Sequence, residues 1–290
     1  MKTATSTSIK LLSGLKEIHS RYHGYLIDAW GVLHDGHQLY PHTLDCLKEL
    51  RNRGKKVIIL SNAARRNRTV AKELQRLSIG PELYLSVLSS GELSWYAMLE
   101  AIDDGSLKDK KAYYLGPLRS RGLLDGLDLN WIDNIEQADI ILNTGAPTGN
   151  PSTTRASESL LATAARRNIP MICANPDLVA IRGGEAGISA GALAKRYDEL
   201  GGSRIEYHGK PFAPIYTQAL ALLNLPASQI LAVGDAFETD IRGGYNAGLD
   251  TCLIANGIHR EQLKPLSPKR VLDLAPADAI PDYVAEYLSW

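Results

Sequence analysis

The chain has 290 residues, and its 32 basic side chains balance 32 acidic ones, so it carries no electrostatic footprint for nucleic acid or an anionic membrane surface. A composition of 44% hydrophobic and 22% charged residues is that of an ordinary globular protein, at a length that suits two domains. Residues 1–20 lack the apolar segment of a signal peptide, and no uncharged apolar run reaches membrane-spanning length. Cys46, Cys173 and Cys252 are far apart and form no CxxC pair, so reduced core thiols of a cytoplasmic protein are expected, not a disulfide frame or thiolate metal site.

In chain order, GYLIDAW (24–30) reads as a buried strand, and HTLDCLKELRNRG as a helix that stops at Gly54. KKVIILSN (55–62) is the next strand and TVAKELQRL the next helix. Helices are expected near 90–101 and 152–168, with strands at KAYYLG (111–116), ADIILNTG (138–145) and IPMICANP (169–176). GISAGALAKRYDELGG is a helix ending at a glycine pair, SQILAVGD (228–235) a strand, and TDIRGGYNAG the opening of a helix. DTCLIANG is a last strand, and PADAIPDYVAEYLSW reads as a short amphipathic closing helix. Apolar strands alternating with helices predict an α/β fold, a parallel sheet covered by helices. The chain has no internal repeat, low-complexity tract or Pro/Gly/Ser linker.

Strand ends carrying polar groups fall early, at Asp28 and Ser61, and late, at Lys210 and Asp235. Ligands of an open α/β sheet gather outside the carboxyl ends of its strands. The simplest arrangement is a discontinuous core domain, 1–84 with 206–290, and an inserted domain, 85–205.

Asp28 is a candidate carboxylate nucleophile or metal ligand; the hydrophobic run leading straight into it weighs against a mere turn or cap. Ser61 and Asn62 suit hydrogen bonds to a phosphate oxygen, although Ser-Asn after a strand alone reads as a helix cap. Lys210, between Gly209 and Pro211 in YHGKPFAP, is placed to neutralise a phosphoryl group or the nucleophile, where in isolation it reads as a solvated lysine. VGDAFETD puts Asp235 at a strand end and Asp240 at a helix start. Hard oxygen ligands near a third carboxylate suit Mg²⁺, and Asp240 also suits the positive end of a helix.

In this order, the Asp28 strand, LSN with Ser61, GKP with Lys210 and GDAFETD with Asp235 and Asp240 resemble the haloacid dehalogenase superfamily. CANPD (173–177), GGEAGISAGALA, GKPFAPIYTQAL and GDAFETDIRGGYNAG are similar to its class IIA. That class holds N-acetylglucosamine-phosphate phosphatase-like, nitrophenylphosphatase and sugar-phosphatase proteins with an α/β cap. The resemblance implies a Rossmann-like core with an inserted α/β cap, and a hydrolase acting on a small phosphorylated metabolite such as a sugar, aryl or acyl phosphate. It implies that Asp28 forms an aspartyl-phosphate, that Ser61 and the Asn62 amide hold phosphoryl oxygens, and that Lys210 pairs with the transferring charge. Mg²⁺ would be bound by Asp28, the Trp30 carbonyl and Asp235, with Asp240 acting through Lys210 or a water. Trp30, Asn62, Asn175 and Asp177 are candidate substrate contacts; Asn175–Asp177 equally suits a turn chosen for its backbone geometry. Relatives of this class often form homo-oligomers, and no interface is specified here.

One position departs from the pattern. Phosphatases of the superfamily usually carry a second Asp two residues after the nucleophile, which protonates the leaving oxygen and then deprotonates the attacking water. Here that position is Trp30, whose indole N–H is a donor only. Losing a general acid–base costs ~10²–10⁴-fold in rate. A Mg²⁺-dependent phosphatase weakened or narrowed by Trp30 is therefore expected. The alternatives are a metal-independent dehalogenase, whose DAYG resembles DAWG, and a non-catalytic binding protein. GDAFETD and the class IIA cap weigh against the dehalogenase. His34, Asp35 and Gly36 are expected to shape the loop, and a substitute proton donor among His34, Asp35 and His208 is not. Arg65 and Arg66 either greet an anionic substrate or are solvated at a helix start.

Overall fold

The computed structural model describes residues 9–147, 152–182 and 185–290; the first eight residues, residues 148–151 and the two glycines that open GGEAGISAGALA lie outside them. Two compact units form: Met1–Ser61 with Ala71–Leu88 and Lys210–Trp290, and Asn62–Val70 with Ser89–Gly209. The limits read from the sequence, 84/85 and 205/206, fall just before a strand (Ser86–Ser89) and at the start of another (Ile205–Tyr207).

The strands in chain order are β1 (Lys10–Leu12), β2 (Gly24–Asp28), β3 (Lys56–Ser61), β4 (Ser86–Ser89), β5 (Lys111–Leu115), β6 (Asn130–Ile132) and β7 (Ile140–Asn143). They continue with β8 (Met171–Cys173), β9 (Val179–Arg182), β10 (Glu185–Ile188), β11 (Ile205–Tyr207), β12 (Ile230–Gly234), β13 (Asp250–Ile254) and β14 (Tyr283–Ala285).

The first unit is built on a seven-stranded sheet in the order β1-β14-β13-β12-β2-β3-β4. Its pairings from β1 through β3 are parallel. Central strands β2 and β12 are buried along their whole length, as expected for apolar runs covered on both faces. Tyr25, Leu26, Ile27, Ile58 and Ile59 are at most 1% exposed. Each such side chain contributes roughly 1.5–3 kcal/mol by leaving water. The register decides where the chemistry falls. Ile27 faces Val233 and Asp28 faces Leu60, so Asp28, Ser61 and Asp235 all emerge at one carboxyl edge of the sheet.

The closing segment is not the expected amphipathic helix. Tyr283–Ala285 is β14, a strand between β1 and β13, with Val284 opposite both Leu11 and Leu253. Pro276 and Pro281 interrupt any helix before it, and a Tyr-Val-Ala run buried on both sides is better served by two ladders than by one helical face. Backbone bonding reinforces this position: Leu15 N–H donates to the Ser289 carbonyl at 2.8 Å.

The second unit carries a parallel sheet in the order β11-β8-β7-β5-β6 and an antiparallel pair, β9 with β10. Leu115, Ile141, Leu161, Met171, Leu193 and Tyr197 form its main core, with the helices Glu158–Arg166 and Ala190–Glu199 supplying one side. All three cysteines are buried free thiols, and burial pushes each up to about 12. Among the described residues, no helix is long and apolar enough to cross a membrane.

Candidate active site

The apolar run of β2 delivers Asp28 to the sheet edge, where it is 7% exposed. Neighbouring β12 delivers Asp235, whose Oδ2 accepts the Ile258 N–H at 2.7 Å. The turn after Asp28 passes close to this carboxylate. Gly31 sits there at φ +81°, and a Cβ on it would lie 1.9 Å from Asp235 Oδ2. A glycine therefore both adopts the left-handed backbone and leaves room for the second carboxylate.

Asp240 lies in the first turn after β12, with Oδ2 accepting the Ala236 N–H at 3.2 Å. Lys210, 3% exposed, places Nζ 2.5 Å from Asp28 Oδ1 and 2.7 Å from Asp240 Oδ1. Asp28, Asp235 and Asp240 each offer an oxygen, all within 4.8 Å of one another. Burial raises the Asp28 carboxyl well above its usual range, and the Asp240 and Asp235 charges add to this against the pull of Lys210. For Lys210, burial opposes the charge, but Asp240 and Asp28 outweigh it and hold the ammonium well above its usual value.

Fully ionised, three carboxylates and one ammonium leave the cluster with two negative charges in excess. The donors are hard oxygens, held close together and buried, which fits a divalent cation such as Mg²⁺. The same surroundings suit a phosphoryl group, whose transfer depends on positioning and charge neutralisation.

Ser61 ends β3 next to Asp28 and is 4% exposed. In the second unit, Asn62, Asn175 and Asp177 come together: Asn62 Nδ2 donates to Asp177 Oδ1 at 2.7 Å, and the Asp177 N–H donates to Asn175 Oδ1 at 2.9 Å. The latter bond is an Asx turn, so Asn175 shapes the loop that presents Asp177.

Trp30 is half-buried, with its ring edge-to-face against His34 at 5.6 Å. His34 Nδ1 accepts the Gly36 N–H at 2.9 Å, and Asp35 Oδ1 accepts the His37 and Gln38 amides at 2.9 and 2.8 Å. These two residues shape the loop, as their sequence context predicts. His208 is buried between Ser94 Oγ and Glu206 Oε1, at 2.9 and 2.7 Å. Arg66 fits neither role read for it. It forms two 2.9 Å bonds to Glu92 and lies 3.7 Å over the Trp95 ring.

Tyr216 was not legible as part of the site. It stands on the helix Ala213–Leu223 behind the cluster, where its hydroxyl donates to the Thr239 carbonyl at 3.2 Å and it lies in the field of Asp240 and Lys210. Its place within GKPFAPIYTQAL, six residues beyond Lys210, is the available signal.

A parallel α/β sheet that gathers three carboxylates and a buried lysine at one carboxyl edge defines a hydrolase site of a known kind. The family model for haloacid dehalogenase-like hydrolases matches residues 25–130, and a second, HAD-hydrolase-like model matches residues 207–289. The chain belongs to the haloacid dehalogenase-like hydrolases, class IIA. It is 26% identical over 245 residues to the 5'-nucleotidase YutF of Bacillus subtilis, covering 83% of this chain and 90% of that one. It is 24% identical to a 4-nitrophenylphosphatase of Schizosaccharomyces pombe, over 94% of each. A solved haloacid dehalogenase-like hydrolase from Brucella suis 1330 superposes with a TM-score of 0.82 at 29% identity, covering 96% of this chain and 99% of that one.

Proposed function

We propose that the protein is a Mg²⁺-dependent phosphatase of small phosphorylated metabolites that works through an aspartyl-phosphate on Asp28. The observation that carries this reading is the Lys210 ammonium bonded to both Asp28 and Asp240 beside Asp235, all four buried at one sheet edge. The names of its relatives, a 5'-nucleotidase and a 4-nitrophenylphosphatase, support phosphate esters as the substrate class.

Lys210 holds the Asp28 carboxylate in place, and its charge draws the carboxyl down against the larger effect of burial. A carboxylate oxygen attacks phosphorus, the new O–P bond forms, and the ester P–O bond breaks with its electron pair leaving on the departing oxygen. Water then attacks the same phosphorus and gives up a proton to solvent, and the P–O bond to Asp28 breaks with its electron pair on the carboxylate, releasing inorganic phosphate. Mg²⁺, held by Asp28, the Trp30 carbonyl and Asp235, would supply charge neutralisation for the phosphoryl oxygens. Ser61 is a proposed donor to those oxygens. In the second unit Asn62, Asn175 and Asp177 are proposed substrate contacts, oriented by the bonds among them. The buried free thiols fit a cytoplasmic setting.

The test is release of phosphate from p-nitrophenyl phosphate with and without Mg²⁺, with Asp28→Asn as control and 2-chloropropionate as the competing substrate. Mg²⁺-dependent release that vanishes in Asp28→Asn is expected. Metal-independent chloride release would replace the phosphatase with a dehalogenase.

A further inference from the structure

The loop that leaves the nucleophile is held around an indole. Gly31 N–H donates to the His34 carbonyl at 3.0 Å, closing the turn that carries Trp30. The ring meets His34 edge-to-face, and it fills the space beside Gly36, where a Cβ would lie 2.4 Å from Trp30 Cζ2. Gly36 has φ +97°, so the loop is built with a residue that admits the ring. Trp30 is thus a fixed wall of the turn beginning at Asp28.

Among the described residues, the polar groups of this turn and of the cluster are held by bonds that shape the loop and the carboxylate site. His34 Nδ1 receives the Gly36 amide, and Asp35 Oδ1 receives two amides. Lys210 is shared between Asp28 and Asp240, and Asp235 receives the Ile258 amide. The indole N–H is a donor only and is too weak an acid to protonate a leaving oxygen.

We infer that the chain acts on phosphate compounds whose leaving group departs as a stable anion, aryl and acyl phosphates, and that the Asp28 aspartyl-phosphate accumulates during turnover. This inference rests on the phosphatase reading above and names its substrate class. In the first step the P–O bond breaks and its electron pair stays on the leaving oxygen. A phenolate or carboxylate is stable as formed, because phenols ionise near pH ~10 and carboxylic acids near ~4. An alkoxide is not, and without a proton donor its departure is slowed by ~10²–10⁴-fold. In the second step water must lose a proton as it attacks the aspartyl-phosphate, and no base at position 30 takes it. For aryl and acyl substrates the first step therefore outruns the second.

The experiment compares substituted phenyl phosphates with alkyl phosphates on the wild-type protein with Mg²⁺, by stopped flow and by mass spectrometry of acid-quenched samples. Expected are a burst of phenolate close to the enzyme concentration, a phosphorylated Asp28, and alkyl phosphates ~10²–10⁴-fold slower without a burst. Trp30→Asp should speed alkyl phosphates by a similar factor and remove the burst, while Trp30→Asn does not. Should Trp30→Asp not fold, the leaving-group series on the wild type decides alone. Equal rates for aryl and alkyl phosphates, or aryl turnover without a burst, would overturn the inference and leave the phosphatase standing. Hydrolysis that survives in Asp28→Asn, or no hydrolysis of any of these compounds, would overturn the phosphatase reading itself and the inference with it.

Discussion

Lys210 Nζ lies 2.5 Å from Asp28 Oδ1, bonding two residues 182 positions apart in the chain, and the same ammonium reaches Asp240 Oδ1 at 2.7 Å. Both carboxylates are buried, so removing the lysine leaves two charges without the ammonium that they share. Lys210→Met, which keeps the unbranched side chain up to Cε, should destabilise the metal-free protein by about 3–5 kcal/mol in urea unfolding. An unchanged midpoint would mean that the cluster is organised by something other than the ammonium.

The excess of negative charge at this edge predicts that divalent cations stabilise the fold. At a Mg²⁺ concentration of about 100 times Kd, the gain should approach ~2.7 kcal/mol, read as a higher Tm in MgCl₂ than in EDTA. Asp235→Asn should lose that metal-linked shift, yet its Tm in EDTA should hold or rise, because one of three repelling carboxylates is gone. An undiminished Mg²⁺ shift in Asp235→Asn would remove Asp235 from the metal site.

The parts of the site legible in the sequence are those that a strand delivers. Tyr-Leu-Ile before Asp28, Ile-Leu before Ser61 and Ala-Val-Gly before Asp235 mark buried parallel strands, and such strands end at a common edge whatever their order. What could not be read depends on partners far away in sequence. Arg66 finds Glu92 and Trp95, Tyr216 finds Thr239, and the anchoring of Trp30 depends on a positive φ at Gly36. The closing segment depends on distant partners in the same way. Asp282–Leu288 has residues that a helix accepts, and only β1 and β13 on either side make Tyr283–Ala285 a strand.

Gly31→Ala tests the close approach directly. The left-handed backbone alone costs a non-glycine residue about 1–2 kcal/mol. The added methyl would sit 1.9 Å from Asp235 Oδ2, so the carboxylate must also move. The variant should show both a lower Tm in EDTA and a reduced Mg²⁺-linked shift, although every candidate ligand is still present. A lower Tm with the full Mg²⁺ shift would confine the effect of Gly31 to the backbone.

The Arg66–Glu92 pair of the second unit gives a prediction whose size depends on pH. Both side chains are 13% exposed, and Glu92 also accepts the Asn67 N–H at 2.7 Å. Burial pushes the Glu92 carboxyl up, but the Arg66 bonds, the Asn67 amide and the arginine charges outweigh it, so the folded value lies below the ordinary 4.5. A carboxyl depressed in this way stabilises the fold fully above its unfolded value, and that stability is lost as pH falls through the lower folded value. Glu92→Gln should therefore cost about 3 kcal/mol near neutral pH. The gap between variant and wild type should close progressively below pH 4.5. Urea unfolding of both proteins across that range measures it. A gap that stays constant into acid would show that the carboxamide loses shape or packing, and that the ion pair contributes nothing to the stability of this unit.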